Sequence, residues 1–431
     1  MKSILRSFLF LLLFSACADQ AVQQEFITSD LDNYWTAYDL IRELDDSLAQ
    51  AKLLDSLFFQ KATPGLNGLM AVRRYAPEDY LNSIRNHPQF WASIRSNTEN
   101  VSKQFEEIET NIQALRKAYP ALKPVPVYFT IGNFRSNGTI QDSIILIGCE
   151  MALADQSTQV NELPEATQEF YTTYTPINDL PLLSVHEYLH TQQKEVVPNL
   201  LSVCIYEGVP EFIACLVTGK PSYIEAFKFA DQHLDEVRAK FEEDIFINRR
   251  QPNWLWSSNR IFGHRDMGYT VGYYIAKGYY DQASDKQAAI KQLIELEFTD
   301  EAAVERIVDQ SGFLSKPLEN LYANFEASRP TVDSVSGIEQ AGRHVATGKQ
   351  RITIHFSEPL NGYNTGVDFG PLGQEACPKM EDRAWADDAQ SWSFMANLEP
   401  NKQYQILISN NFRLEDGTPL KPFLIEFWTG E

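Results

Sequence analysis

The sequence predicts an α+β chain: a mainly helical region with a small sheet over residues 30–329, then an all-β sandwich over residues 330–431. Three observations predict it. Apolar residues recur at three- and four-residue steps through most of the first region. Two strand-like runs interrupt that spacing, and after Arg329-Pro330 the period falls to two. The chain has 431 residues, 44% of them hydrophobic and 12% aromatic, which is material for two or three domains.

The N-terminus reads as a processing segment. Lys2 and Arg6 precede the apolar run Ser7–Phe14, which is far shorter than the ~20 residues a membrane-spanning helix needs. Ser15-Ala16-Cys17 follows, so residues 1–16 resemble a bacterial lipoprotein signal. That resemblance implies export, lipid on Cys17, and a lipid-anchored protein of the bacterial cell envelope. Residues 17–29 read as a polar tether. No later apolar run is read as reaching membrane length, which leaves the lipid as the membrane contact.

The remaining elements follow in order. Tyr34, Ala37, Tyr38, Ile41, Leu44 and Leu48 mark the first helical stretch, and Thr63-Pro64-Gly65 breaks it. Helical spacing resumes near Glu78–Ile84 and over Phe90–Leu115, and Tyr119-Pro120 ends it. Pro124–Ile131 and Ser143–Ile147 read as strands, with turn residues at Asn133–Gly138. Ala154–Asn178 is polar and reads as a long loop. Further helices are expected at Leu180–Gln193, near Glu207–Thr218, at Pro221–Phe241 and at Gly268–Gln282. Shorter ones are expected in Lys286–Glu295, Glu301–Gln310 and Pro317–Ala327. Beyond them alternate Ile352/Ile354/Phe356, Trp392/Phe394, Tyr404/Ile406/Ile408 and Ile425/Phe427, separated by turn clusters.

Charge and cysteine content exclude two classes. With 37 Lys and Arg against 58 Asp and Glu, the net charge is −21, and a nucleic-acid partner is not expected. Five cysteines do not build a disulfide framework. Cys149, Cys204, Cys215 and Cys377 lack CxxC spacing and sit among apolar residues, so buried thiols are expected, with a Cys204–Cys215 disulfide as the alternative.

The chemistry lies in His186-Glu187-Tyr188-Leu189-His190, an HExxH sequence. Residues four apart on a helix share a face, so His186 and His190 offer two imidazoles to one metal ion. Glu187, one residue round, is placed to bond a metal-bound water. A catalytic zinc needs a third protein ligand. Glu207 and Glu211 follow, again four apart, in Glu207-Gly208-Val209-Pro210-Glu211, with Pro210 expected in a first helical turn and Gly219 as the stop. One carboxylate can bind the ion while the other steadies a ligand histidine. The spacing leaves open which does which.

Here the chain resembles the gluzincins, zinc metallopeptidases with HExxH on one helix and a glutamate on the next. The resemblance implies a zincin-like domain with one zinc ion, and a peptide or protein substrate. It implies His186, His190 and Glu207 as ligands, Glu187 as general base, and Glu211 as the carboxylate behind a ligand histidine. It also calls for an oxyanion donor downstream, where Tyr269 and His264 are the principal candidates beside Arg265 and Tyr273. It places Ser143–Ile147 as the edge strand that would pair with substrate. The wider pattern, in IGNFRSNGTI at Ile131–Ile140, ILIGCEM at Ile145–Met151 and RDMGYTVGYYIAKGYY at Arg265–Tyr280, resembles a predicted zinc-dependent protease family of bacterial envelopes. A relative of that family is the gliding-motility lipoprotein B type. Residues 330–431 resemble a bacterial immunoglobulin-like domain, in ITIHFSEPLN, LEPNKQYQILIS and DGTPL. Such a domain serves as a spacer or takes an envelope protein or polymer partner. His87, His233, His344 and His355 have no such context and read as structural or surface residues. Two functions are expected from this pattern: an envelope-anchored zinc peptidase, or a non-catalytic envelope scaffold on a peptidase fold.

Overall fold

A computed structural model describes residues 24–173, 175–256, 259–338 and 344–431. The signal segment, Cys17 and the first part of the tether lie outside the described residues. Two compact units divide the chain: residues up to 113 with 121–191, and 114–120 with 192–431.

The first unit begins with β1 (Phe26–Ile27), then α1 (Ser29–Arg42), α2 (Ser47–Leu57), α3 (Pro64–Arg73), α4 (Pro77–Asn86), α5 (Pro88–Glu99) and α6 (Phe105–Ala118). Local chemistry starts these helices. The Asp46 carboxylate accepts the Leu48 and Ala49 amides, and Pro64, Pro77 and Pro88 stand at first positions where no N–H is needed. Thr63-Pro64-Gly65, read as a break, is therefore the start of α3. Its Thr63 hydroxyl caps Gly65 and Leu66. Tyr34, Phe58, Tyr80 and Trp91 are fully buried, with Tyr34 5.4 Å from Phe58 and 5.0 Å from Trp91.

The sheet follows: β2 (Val127–Thr130), β3 (Gly138–Gln141) and β4 (Ile144–Gly148), then α7 (Cys149–Ala152), α8 (Glu165–Thr173) and α9 (Pro176–His190). Strand order is β1-β2-β4-β3, with β3 alone antiparallel. Three expectations fail here. Phe26–Ile27, read as tether, pairs with β2. Ala154–Asn178 is not one long loop but holds α8 and the start of α9. The run Ser143–Ile147 is not an edge: β4 is hydrogen-bonded on both sides, and the edge strand is β3.

In the second unit the helices are α10 (Leu200–Thr218), α11 (Ala226–Ala230), α12 (Leu234–Asp244), α13 (Gln251–Trp254), α14 (Met267–Gln282), α15 (Lys286–Ile294), α16 (Glu301–Ser311) and α17 (Leu318–Ser328). The expected Pro221–Phe241 helix is two shorter ones, α11 and α12. Helix α10 starts seven residues before Glu207, where the Asn199 side chain accepts the Ser202 amide at 2.8 Å, and it ends at Gly219 in the left-handed region. It is also long and apolar enough to cross a membrane, contrary to the sequence reading, and most of it is buried inside the structure. Cys204 and Cys215 share this helix eleven residues apart, about 16 Å along its axis. No disulfide spans that distance, and all four described cysteines are free. Cys149, Cys204 and Cys215 are buried as expected, while Cys377 is half-buried.

The strands β5 (Val332–Ser336), β6 (His344–Val345), β7 (Gly348–Phe356), β8 (Val367–Asp368), β9 (Met380–Trp385), β10 (Ser391–Leu398), β11 (Gln403–Ile408) and β12 (Phe423–Thr429) make two four-stranded sheets. Their orders are β5-β7-β10-β9 and β6-β12-β11-β8. Every alternating residue read from the sequence, from Ile352 to Phe427, lies in one core shared by both sheets. The α+β expectation of a helical region followed by a β-sandwich holds. Arg329, at the change of period, donates to the carbonyls of Pro419 (3.0 Å) and Leu420 (2.6 Å) and so fastens a sandwich turn to the end of α17.

Candidate metal centre

Helix α9 carries HExxH in its last turn and a half. Pro176 opens the helix at its first position, and every residue from Leu180 to His190 is buried. His186, Glu187 and His190 are 7%, 7% and 8% exposed, low enough to keep bulk water from competing for the imidazoles. The two Nε2 atoms stand 3.0 Å apart. A tetrahedral zinc with Zn–N bonds of 2.0–2.1 Å separates two such nitrogens by about 3.3 Å, so the pair is a few tenths of an ångström from that spacing.

Glu187 faces β3. A Cβ added at Gly138 would stand 2.8 Å from Glu187 Oε1 and 2.9 Å from Leu183 Cδ1. A side chain there would have to displace the ends of Glu187 and Leu183, and the strand that lies against the Glu187 carboxylate is the edge of the sheet.

On α10, Glu207 and Glu211 are 7% and 1% exposed. Glycines set what lies beside them. A Cβ at Gly208 would meet the Gly272 carbonyl carbon at 2.1 Å, and one at Gly272 would meet the Cys204 oxygen at 1.7 Å. The backbones of α10 and α14 therefore touch, and Tyr269, one turn before Gly272, reaches Glu207 by a side-chain hydrogen bond. Desolvation first, and then the Glu207 charge, holds the Tyr269 phenol well above its ordinary value. The Trp256 indole N–H donates to the Tyr269 oxygen at 3.1 Å. The sequence gives no reason to single out Trp256, since Trp254-Leu255-Trp256 matches no motif.

Pro210 lies in the interior of α10, not in a first turn. It has no N–H for the carbonyl of Tyr206, four residues back. The Gln193 side chain supplies the missing donor at 2.9 Å.

His186 and His190 share the buried end of α9, and on α10 the buried carboxylates are Glu207 and, one turn on, Glu211. Its charge is felt by Cys215 and Tyr273, whose pKa values are raised first by desolvation, with Tyr273 pushed up to about 12. The other downstream candidates face different partners. Tyr273 packs edge-on against Phe212 and Phe227, His264 lies 5.2 Å from the Phe229 ring, and Arg265 pairs with Asp266 at 3.1 Å.

The family model described as gliding motility protein GldB matches residues 20–265. The match spans the sheet, α9 and α10, and stops before Tyr269 and the sandwich. No curated protein matches the chain. A match over more than half of the sequence decides the relationship, and the chain belongs to the family of gliding motility protein GldB.

Proposed function

We propose that this chain is an envelope lipoprotein of the gliding-motility type, anchored through Cys17, whose helical region holds one zinc ion at His186, His190 and Glu207. Family membership supports the first part. The observation that carries the second is the buried imidazole pair on α9, with Nε2 atoms 3.0 Å apart. Two neutral imidazoles and one carboxylate suit zinc, whereas calcium and magnesium favour all-oxygen sets. Glu211 steadies the donor set from the next turn of α10, and Tyr269 orients Glu207.

A second reading, a zinc-dependent peptidase acting on peptide or protein substrate, is favoured by Glu187 and the strand beside it. Zinc held there supplies an acidified water and polarises a carbonyl. The rest is work for the chain's own groups. The Glu187 carboxylate takes a proton from water and passes it to the leaving amine nitrogen. The free edge of β3 offers backbone N–H and C=O groups to an extended peptide. Tyr269 Oη–H, or His264 if α11 and its loop move, is the donor toward an oxyanion.

The test is metal analysis of the purified chain, followed by complementation of a deletion strain. The scaffold reading expects bound zinc, loss of the envelope phenotype in His186→Ala, and its retention in Glu187→Gln. Loss in a folded, zinc-loaded Glu187→Gln protein, with loss of proteolysis in vitro, favours the peptidase. Wild-type protein purified without any stoichiometric metal overturns both.

A further inference from the structure

Two sequence stretches remain without a role in the metal centre: IGNFRSNGTI, which leads from β2 into β3, and ILIGCEM, which is β4 running into α7. They meet at one side chain. Glu150, in α7, is fully buried. Its Oε2 accepts the Gly132 amide at 2.8 Å and its Oε1 accepts the Phe134 amide at 3.1 Å. The segment between these amides and β3 is tightly tied. Phe134 is a non-glycine residue in the left-handed region, at φ 59. Ser136 Oγ donates to the Gly138 carbonyl at 2.6 Å and accepts from Arg73 at 3.0 Å, and the Gly148 amide donates to Asn137. Two residues further, Gly138 lies against Glu187.

We propose that Glu150 is a positioning residue, a two-oxygen latch that holds the loop at Gly132–Phe134 and so fixes the edge strand β3 against Glu187. The proposal rests on the peptidase reading only for its catalytic consequence. The chemistry favours a carboxyl group here: charged, it accepts with both oxygens, and protonated, it keeps acceptor capacity beside its one O–H. Glutamine would turn an NH2 toward one of two amide donors, and aspartate is one carbon shorter. An isolated buried carboxylate is costly unless its oxygens are bonded, and the partners of these two include the loop amides of Gly132 and Phe134 and the Glu150 amide itself.

The latch responds to pH. The groups facing Glu150 are phenols and a thiol rather than cations: Tyr34 of α1, Tyr75 after α3, Tyr80 of α4 and Cys149 of α7, with the Tyr171 hydroxyl of α8 on its backbone carbonyl. Arg135 stacks on Tyr75 and pairs with Asp79, and Asp30 of α1 adds negative charge near Tyr80 and Cys149. Burial raises the Glu150 carboxyl from 4.5 to about 7, and the bonds from the Gly132, Phe134 and Glu150 amides only partly offset it. When the loop lifts, water reaches the carboxyl and returns it to its ordinary range. The closed form therefore binds the proton more tightly, so closure is strongest below neutral pH and weakens as pH rises through about 7.

Hydrogen–deuterium exchange of the full chain tests this, read on the peptide that spans Gly132–Gly138 and corrected for the intrinsic rate. Between about pH 5.5 and pH 8.5 its protection should fall roughly thirtyfold in wild type and in Glu187→Gln, and should be flat in Glu150→Gln. The same limb in Glu150→Gln, or no limb in wild type, overturns the latch. If Glu150→Gln does not fold, the carboxyl 13C shift of Glu150 in wild type decides, since its midpoint must coincide with that of exchange. Exchange does not require turnover. An inactive protein with the limb sinks the peptidase reading alone, and an active one without it sinks the latch alone.

Discussion

Replacing Gly208 by alanine tests whether backbone contact between α10 and α14 builds the Glu207 site. The added carbon would lie 2.1 Å from the Gly272 carbonyl carbon, 2.2 Å from the Tyr273 nitrogen and 2.3 Å from the Gly272 Cα. All three are backbone atoms, so no rotamer change relieves them. Non-bonded carbons settle at about 3.5–4.0 Å, so the helices must part by more than about 1 Å. Alanine gains about 1 kcal/mol of helix propensity over glycine. Overpacking of this kind costs about 1–3 kcal/mol, and here the larger end applies because nothing soft gives way. A net loss of about 2 kcal/mol is expected, read as a fall of several degrees in the thermal midpoint. Parting the helices also draws Tyr269 from Glu207, so zinc affinity should fall with stability. Gly219→Ala is the control: it meets nothing within 4 Å but sits at φ +67, and should cost about 1 kcal/mol without touching zinc affinity. An unchanged or raised midpoint in Gly208→Ala would refute the packing argument.

Two further outcomes follow from the same geometry. Zinc at a hundred times its dissociation constant should stabilise the wild type by about 2.7 kcal/mol, and a chelator should reverse this; His186→Ala and His190→Ala should show neither effect in a thermal scan. The Glu150 carboxyl, held at about 7 when folded, makes its full contribution to global stability below its ordinary range and loses it as pH rises through about 7. Stability measured by urea should therefore decline by about 3 kcal/mol across that window in wild type, with the decline absent in Glu150→Gln.

Legibility in the sequence tracks how local each cause is. HExxH could be read because four-residue spacing on one helix is a local fact. The sandwich could be read because each of its strands buries one face, so Ile352, Ile354 and Phe356 alternate with residues left more accessible. The first turns of α10 gave no periodic signal because Leu200–Ile205 is buried on every side. Strand β3, GTIQ, is only four residues long. It becomes a strand by pairing with β4, and it appears in the sequence as the tail of a turn. Glu150 was hidden for a related reason. A single acid after an apolar run reveals nothing of the two amides, sixteen and eighteen residues back, that it accepts.

Pro210 shows how a residue that breaks a local rule can organise its surroundings. In a helix interior it should cost about 3 kcal/mol, partly by leaving the Tyr206 carbonyl unbonded. That carbonyl, just before Glu207, is taken instead by Gln193, three residues past His190. The proline thus creates the acceptor that anchors the chain leaving α9 onto α10. If so, the two residues are energetically coupled with a definite sign. Gln193→Ala alone leaves a carbonyl without its donor and should cost about 1–3 kcal/mol. In a Pro210→Ala background the restored amide bonds Tyr206 within the helix, and Gln193→Ala should then cost little. A double-mutant cycle in urea measures the difference, expected at about 1 kcal/mol or more. Equal costs in the two backgrounds would mean that Gln193 does not replace the bond the proline removes, and that α10 tolerates Pro210 for another reason.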